Sequence, residues 1–137
     1  MMEGVDDKFD ITHMHGYNDE QFDFFICSHV LEHIPDDLKA MKELYRVTKT
    51  GGKGIVMVPI NLQLEKTIED AHCTDVGYRW KYFSQDDHVR MYAKNDLINR
   101  LLSVGFTVEQ LGIDYFGKQL FNQYAIHSTS VLYIVNK

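Results

Sequence analysis

The chain has 137 residues, a hydrophobic content of 45% and a formal net charge of −6. This length and hydrophobicity exclude a disordered chain and favour one domain over residues 1–137. The acidic balance and the lack of a Lys/Arg run argue against nucleic acid or an anionic membrane as partner. With two cysteines, no apolar leader and no membrane-length stretch, we expect a cytoplasmic protein.

Residues 22–60 predict a strand, a helix and a second strand. Residues 22–27 form a near-continuous apolar run, as expected of a strand that is covered on both faces. Apolar residues then recur at the helical period, with two aspartates at 36–37 to cap the start and Gly51 to end the helix. Residues 55–60 form the second buried strand. Such a unit is typical of a parallel sheet, whose ligands bind at the carboxyl ends of the strands.

The second half of the chain predicts an insert, a helix and two strands. Residues 61–93 show little periodicity, and a long irregular segment in a compact domain usually covers or lines a site. A helix follows, capped by Asn95 and stopped at Gly105. Residues 106–113 and 131–135 predict the last strands, which should be antiparallel neighbours because no helix separates them.

One motif matches a zinc signature. His29, Glu32 and His33 fit the pattern H-x-x-E-H. That chemistry needs both histidines one turn apart on a regular helix, together with a third ligand. Here the motif lies between a buried strand and Pro35, at a strand-to-helix turn. A zinc hydrolase is therefore the last of the functional hypotheses, and no residue is assigned as a metal ligand.

The same turn offers residues for other chemistry. Ser28 and His29 end the first strand, where they either contact a ligand or only cap the turn. His33, beside Glu32, could perform acid–base chemistry because histidine titrates near neutral pH. The alternative is that His33 and Glu32 only hold the loop to the helix start.

A second group of polar residues lies at the end of the insert. If this segment is extended, His88, Arg90 and Tyr92 share one face. That face could bind a carboxylate or phosphate of a substrate. It could equally be the exposed side of an edge segment.

The stretch FDFFICSHVLEHIPDDLKAMKELYRVTKTGG closely resembles the middle of class I S-adenosylmethionine-dependent methyltransferases of the type 11 family. The resemblance combines the Glu-His pair, the helix end L-Y-R-V and the double glycine at consistent spacing. Residues 87–92 and 101–108 resemble later parts of that family. The segment 10–12 resembles the acidic end of its strand three.

The resemblance implies an S-adenosylmethionine-dependent enzyme that methylates a small molecule. Ser28 and His29 would contact the methionine part of the cofactor, and Asp10 its adenine. His33 or His88 would be the catalytic base, and Arg90 with Tyr92 would bind the substrate.

The expected fold is an incomplete Rossmann-like α/β sheet, mostly parallel with an antiparallel C-terminal strand. The family order is 3-2-1-4-5-7-6, and the chain lacks strands one and two, which carry the glycine-rich loop and the ribose-binding acid. Strand four then has an unpaired edge, which invites pairing. We expect a homodimer through this edge, or a monomer in which the Asp10 strand moves beside strand four. A non-catalytic domain that serves in association, and a half completed in trans, are the alternative functions.

Overall fold

The computed structural model describes Gly4 and residues 6–137. Its main sheet has the order β1-β2-β6-β5, built from β1 (Phe22–Ser28), β2 (Thr48–Met57), β5 (Thr107–Leu111) and β6 (Leu132–Asn136). β1 and β2 are parallel, and β6 is antiparallel to both β2 and β5. Three strands therefore share one direction. This confirms the predicted α/β sheet with its antiparallel C-terminal strand, and it corresponds to strands 4-5-7-6 of the family order.

The first helix begins as predicted but ends earlier. In α1 (Asp37–Val47), the Asp36 side chain caps the start by accepting from the backbone nitrogen of Lys39 at 3.0 Å. The helix ends before Gly51 because Thr48 already pairs with Phe22 as the start of β2. Gly51 does take the left-handed conformation, with φ of 79°, but within β2.

The insert, predicted as an irregular segment over 61–93, contains three short elements with irregular stretches between them. It contains β3 (Ile68–Glu69), α2 (Val76–Phe83) and β4 (Arg90–Met91), and the two short strands pair with each other. Strands of two residues are too short to show a period in the sequence, which is why the pattern missed them.

Three further helices follow the insert. The predicted second helix is α3 (Lys94–Ser103), and Gly105 ends it with a φ of 114°. The short helices α4 (Ile113–Phe116) and α5 (Lys118–Gln123) lie between the last two strands and were not predicted. No helix in the described part of the chain has the length and apolar character needed to cross a bilayer.

The hydrophobic core lies on one face of the main sheet. Helices α1 and α3 pack there, and the buried residues include Cys27, Met41, Val56, Leu97, Leu101, Phe106 and Val135. On the opposite face of β1, Phe24 is 50% exposed and Ile26 is 65% exposed. The prediction that residues 22–27 are covered on both faces is therefore wrong for the described residues. An apolar run makes a strand suitable for burial on both faces. Whether a helix or strand packs on each face depends on other parts of the chain.

The segment before β1 is a turn and not a strand. Asp10 and His13 form an isolated bridge, and the Asp10 carboxylate accepts hydrogen bonds from the backbone nitrogen and hydroxyl of Thr12, both at 2.8 Å. These bonds lower the pKa of Asp10. The idea that an Asp10 strand moves beside β1 is therefore wrong, and β1 is an edge strand of the described sheet.

Candidate functional site at the carboxyl edge of the sheet

The carboxyl ends of β1 and β2 lie side by side. Ser28 stands opposite Met57 in the parallel register, and the backbone nitrogen of His29 donates to the carbonyl of Met57 at 2.9 Å. His29 has a φ of 54°, which is uncommon outside glycine and turns the chain away from the strand direction. Its side chain is 63% exposed. Ser28 and His29 therefore stand at the sheet edge where open α/β folds bind ligands.

Clefts border this edge. One of about 290 Å³ is lined by the end of β2, the following loop and the start of β6, including Met57, Ile60, Ser130 and Tyr133. Another of about 560 Å³ is lined by the loop 59–63 and by Ser84, Gln85, His88 and Met91. Small-molecule sites in proteins occupy about 300–1,000 Å³. The edge therefore has room for a small molecule.

The H-x-x-E-H motif ends in a single 3₁₀ turn, Leu31–His33. His29 lies before this turn, so the two histidines of the motif are not on one regular helix and the zinc-signature geometry does not form. Glu32 is fully buried, and its Oε1 lies 3.2 Å from Nδ1 of His29. Burial raises the pKa of Cys27 to about 12, and the charge of Glu32 adds to that rise. The Cys27 thiol is thus unreactive at neutral pH.

The structure brings together the two predicted catalytic histidines. The rings of His33 and His88 meet edge-to-face with centroids 4.7 Å apart. Nδ1 of His88 lies 2.9 Å from the backbone carbonyl of Phe83, so this nitrogen carries the proton that it donates. The ring then keeps a lone pair on Nε2. The sequence proposed each histidine separately, and only the fold places them in contact.

Arg90 fastens the insert to the motif. It is buried, and its guanidinium donates to three backbone carbonyls around the 3₁₀ turn, those of Leu31, Ile34 and Pro35. The backbone nitrogen of Val89 also donates to the Glu32 carbonyl, at 2.9 Å. These bonds fix residues 88–90 against the motif. Arg90 is thus not on the exposed side of an edge segment, which was the alternative drawn from the sequence.

Tyr92 belongs to a buried polar network. Its hydroxyl donates to Oδ2 of Asp37 at 2.6 Å, and Arg100 donates to both oxygens of the same carboxylate at 2.7 and 2.8 Å. Burial, together with the charge of Asp37, raises the pKa of Tyr92. Arg100 also donates to Glu69 at 2.6 Å, and this bond lowers the pKa of Glu69. Sequence analysis missed this network because its members come from distant segments.

Substrate binding by Arg90 and Tyr92 stays a prediction. Their polar atoms are committed to protein partners, so an acceptor would reach them only if the network opened. The contact of Asp10 with the adenine also stays a prediction. The exposed Asp10 carboxylate accepts hydrogen bonds from Thr12 within its own turn. Ser28, His29, His33 and His88 are the predicted residues that lie at or beside the carboxyl edge.

Comparison with known proteins agrees with this geometry. Residues 6–56, which contain β1, the motif, α1 and nearly all of β2, match the sequence profile of the family described as Methyltransferase domain. The chain resembles class I methyltransferases. No curated protein matches the chain.

Solved structures share the fold of this methyltransferase-like chain. An S-adenosylmethionine-dependent methyltransferase from Mesorhizobium loti superposes with a TM-score of 0.60 at 12% identity, covering 98% of this chain and 72% of that one. The [4+2]-cyclase SpnF gives 0.57 at 16% identity, with coverages of 93% and 53%. The Haemonchus contortus phosphoethanolamine N-methyltransferase 2, solved with phosphomonomethylethanolamine and S-adenosylhomocysteine, gives 0.54 at 16%, with coverages of 93% and 36%. The chain thus spans about half the length of SpnF.

Proposed function

We propose that the chain is a methyltransferase-type domain that uses S-adenosylmethionine and acts on a small molecule. One observation carries the proposal. Ser28 and His29 lie at the carboxyl end of β1, parallel to and in register with β2, inside the segment that matches the methyltransferase profile. In open α/β sheets this edge is the ligand-binding edge. The cyclase among the similar structures is a reminder that the fold alone does not set the reaction.

The residues present fit part of the cofactor site. Ser28 and His29 would hold the methionine part, and Asp10 would face the adenine. S-adenosylmethionine supplies an electrophilic methyl group. The family's glycine-rich loop and ribose-binding acid have no counterpart in the described residues. The fit is therefore to the methionine side of the site, and we expect weak cofactor binding by this chain alone.

Methyl transfer needs mainly alignment, with one base to take a proton from the acceptor. The clefts beside Met57 and beside His88 would position a small acceptor. His88 is buried and keeps a lone pair on Nε2, while the side chain of His33 is 31% exposed. His33 can therefore reach an acceptor from the surface, and His88 would support it or replace it as the base.

Titration calorimetry tests the proposal. The purified chain is titrated with S-adenosylmethionine and with S-adenosylhomocysteine, and saturable binding of either supports it. Ser28→Ala and His29→Ala should weaken that binding by about tenfold each, since each removes a hydrogen-bonding group worth about 1–1.5 kcal/mol. His127→Ala, an exposed histidine outside the edge, is the control. Binding that is unchanged in the first two variants would reject those assignments.

A second candidate function is association through β1. The observation that favours it is an edge strand that exposes Phe24 and Ile26. We propose a homodimer in which two β1 strands pair antiparallel about a two-fold axis at Phe25. This register sets Phe24 of one copy opposite Ile26 of the other, so that both apolar side chains are covered on the same face.

Light scattering coupled to gel filtration tests the homodimer. The wild-type chain should be dimeric, and Ile26→Lys should be monomeric because a charge on the edge opposes pairing. Leu62→Lys is the matched control, since Leu62 is similarly exposed but lies outside the sheet edge. If the wild-type chain is monomeric and binds no cofactor, the result would instead favour half of a methyltransferase that is completed in trans by another polypeptide.

A further inference from the structure

Glu32 presents an unsatisfied oxygen inside the protein. Its side chain is fully buried, and Oε2 has no hydrogen-bond partner among the described residues. Leaving a buried carboxylate oxygen without a partner is costly, and such a group needs a stated reason. His29 contacts only the other oxygen, Oε1. Oε2 is therefore available to a ligand that carries positive charge.

Two imidazoles converge on the same carboxylate. One potential ligand atom from each of Glu32, His33 and His88 lies within 4.8 Å of the others. Two histidines and one glutamate form the donor set of catalytic zinc sites, which leave a position open for water or substrate. This set differs from the H-x-x-E-H signature, because His88 of the insert takes the place of His29.

Each of these three residues has one polar atom held by an outer partner. Nδ1 of His88 donates to the Phe83 carbonyl, Nδ1 of His33 lies 3.3 Å from the Asp87 carboxylate, and Oε1 of Glu32 contacts His29. Metal-binding histidines almost always have such outer partners, which fix the tautomer and the ring orientation. The hydrogen bonds from Val89 and Arg90 also hold the insert against the turn, so the cluster is built on a braced scaffold.

We propose that Glu32, His33 and His88 bind a divalent transition-metal ion, with Zn²⁺ as the expected ion. Nitrogen donors favour zinc, cobalt or nickel over magnesium and calcium, which prefer oxygen. Tetrahedral zinc with bonds of about 2.0–2.2 Å sets its ligand atoms roughly 3.3–3.6 Å apart, so the side chains close by about an ångström on binding. The bound ion would neutralise the buried carboxylate and keep one position open toward the surface beside His33.

This inference goes beyond the proposed methyltransferase function and is tested without S-adenosylmethionine. In the metal-bound chain His33 and His88 would be ligands and would not also be free bases, so the metal site is an alternative to their role in proton transfer. The chain, stripped of metal with a chelator, is titrated with Zn²⁺ against a chromogenic competitor, and with Co²⁺ while its visible d–d bands are recorded. We expect one equivalent of metal, tetrahedral-type cobalt bands and no competition from Mg²⁺. Zinc should also raise the midpoint of thermal unfolding, because a ligand that binds only the folded chain stabilises it.

Two variants and a control decide the assignment. Glu32→Gln keeps the shape of the side chain, and His33→Ala alters a partly exposed one, so both should fold even if a His88 variant does not. Each should lose more than about tenfold in zinc affinity and should lose the cobalt bands. His15→Ala removes an exposed histidine that stacks on His13, a neighbouring pair outside the cluster, and should change neither. Wild-type affinity in Glu32→Gln or His33→Ala, or no binding by the wild-type chain, would overturn the proposal.

Discussion

Replacing Arg90 by methionine should destabilise the whole domain and not only a substrate site. Methionine keeps much of the length and apolar stem of arginine but removes every donor. In the structure, the guanidinium donates to the carbonyls of Leu31 at 2.6 Å and Pro35 at 2.9 Å, and its Nε lies 3.1 Å from Glu69. Arg90 is 2% exposed, so the guanidinium itself is almost out of contact with water.

The expected loss follows from the hydrogen bonds that each partner of Arg90 loses. Leu31 is fully buried, and its carbonyl would keep only the backbone nitrogen of Ile34 as a donor, at 3.3 Å, so the loss of the bond from the charged guanidinium should cost about 1.5–3 kcal/mol. Ile34 is half-buried and Pro35 is exposed, so water can reach their carbonyls at lower cost. Glu69 keeps Arg100 as a partner but loses one cation. The buried Asp37 carboxylate also loses a cation that lies 3.8 Å away. Together these changes should lower the free energy of unfolding by about 3–5 kcal/mol, as for other broken buried ion pairs.

Urea unfolding followed by circular dichroism measures this loss. Arg79→Met is the matched control, because Arg79 also donates to backbone carbonyls, those of Cys73 and Asp86, but in a half-exposed setting. We expect that control to lose about 1 kcal/mol. A loss below about 1 kcal/mol for Arg90→Met, or equal losses at both positions, would refute the view that Arg90 fastens the insert to the motif.

Three further predictions address the network and one turn. Tyr92→Phe removes the hydroxyl that binds Asp37 and should cost about 1.5–3 kcal/mol in urea unfolding; a change within 0.5 kcal/mol, on the order of a surface substitution, would contradict it. Arg100 holds the pKa of Glu69 below its ordinary 4.5, so the stabilisation is present above about pH 4.5 and is lost as the pH falls through the lower folded-state pKa. Glu69→Gln should therefore reduce stability at pH 7 and flatten the acid side of the stability–pH curve, and an unchanged acid slope would reject this. Gly105→Ala should cost about 1–3 kcal/mol in thermal unfolding, more than Gly51→Ala, because both have positive φ but only at Gly105 would a new Cβ lie 2.8 Å from the Tyr45 ring.

Most of the fold followed from local patterns. The strand beginning at Phe22 and the helix capped at Asp36 were predicted because each depends on a period or a cap that neighbouring residues carry. The antiparallel pairing of the last two strands was also predicted, but on the ground that no helix separates them, and α4 and α5 do separate them. The short strands β3 and β4 escaped prediction because they exist only by pairing with each other across the insert. The helices α4 and α5 are too short to show a clear period.

For the candidate site as well, the sequence predicted the position of some residues but not of others. Ser28 and His29 were placed at the carboxyl edge correctly, because a residue that ends a parallel strand lies at that edge whatever surrounds it. His88, Arg90 and Tyr92 were expected on one accessible face, whereas the structure buries all three. Alternation in sequence predicts which side chains point the same way, but not whether that direction leads to solvent or to another element.

The sequence by itself determined the βαβ unit, the position of the motif at the end of its first strand and the likeness to methyltransferases. These depend on spacing along the chain, which packing does not alter. Only the tertiary structure decided that His88 meets Glu32 and His33, and that Arg90 and Tyr92 bind the interior. Such contacts join residues more than 50 positions apart in the chain. Their formation depends on how the insert folds back onto the turn, which no local pattern records.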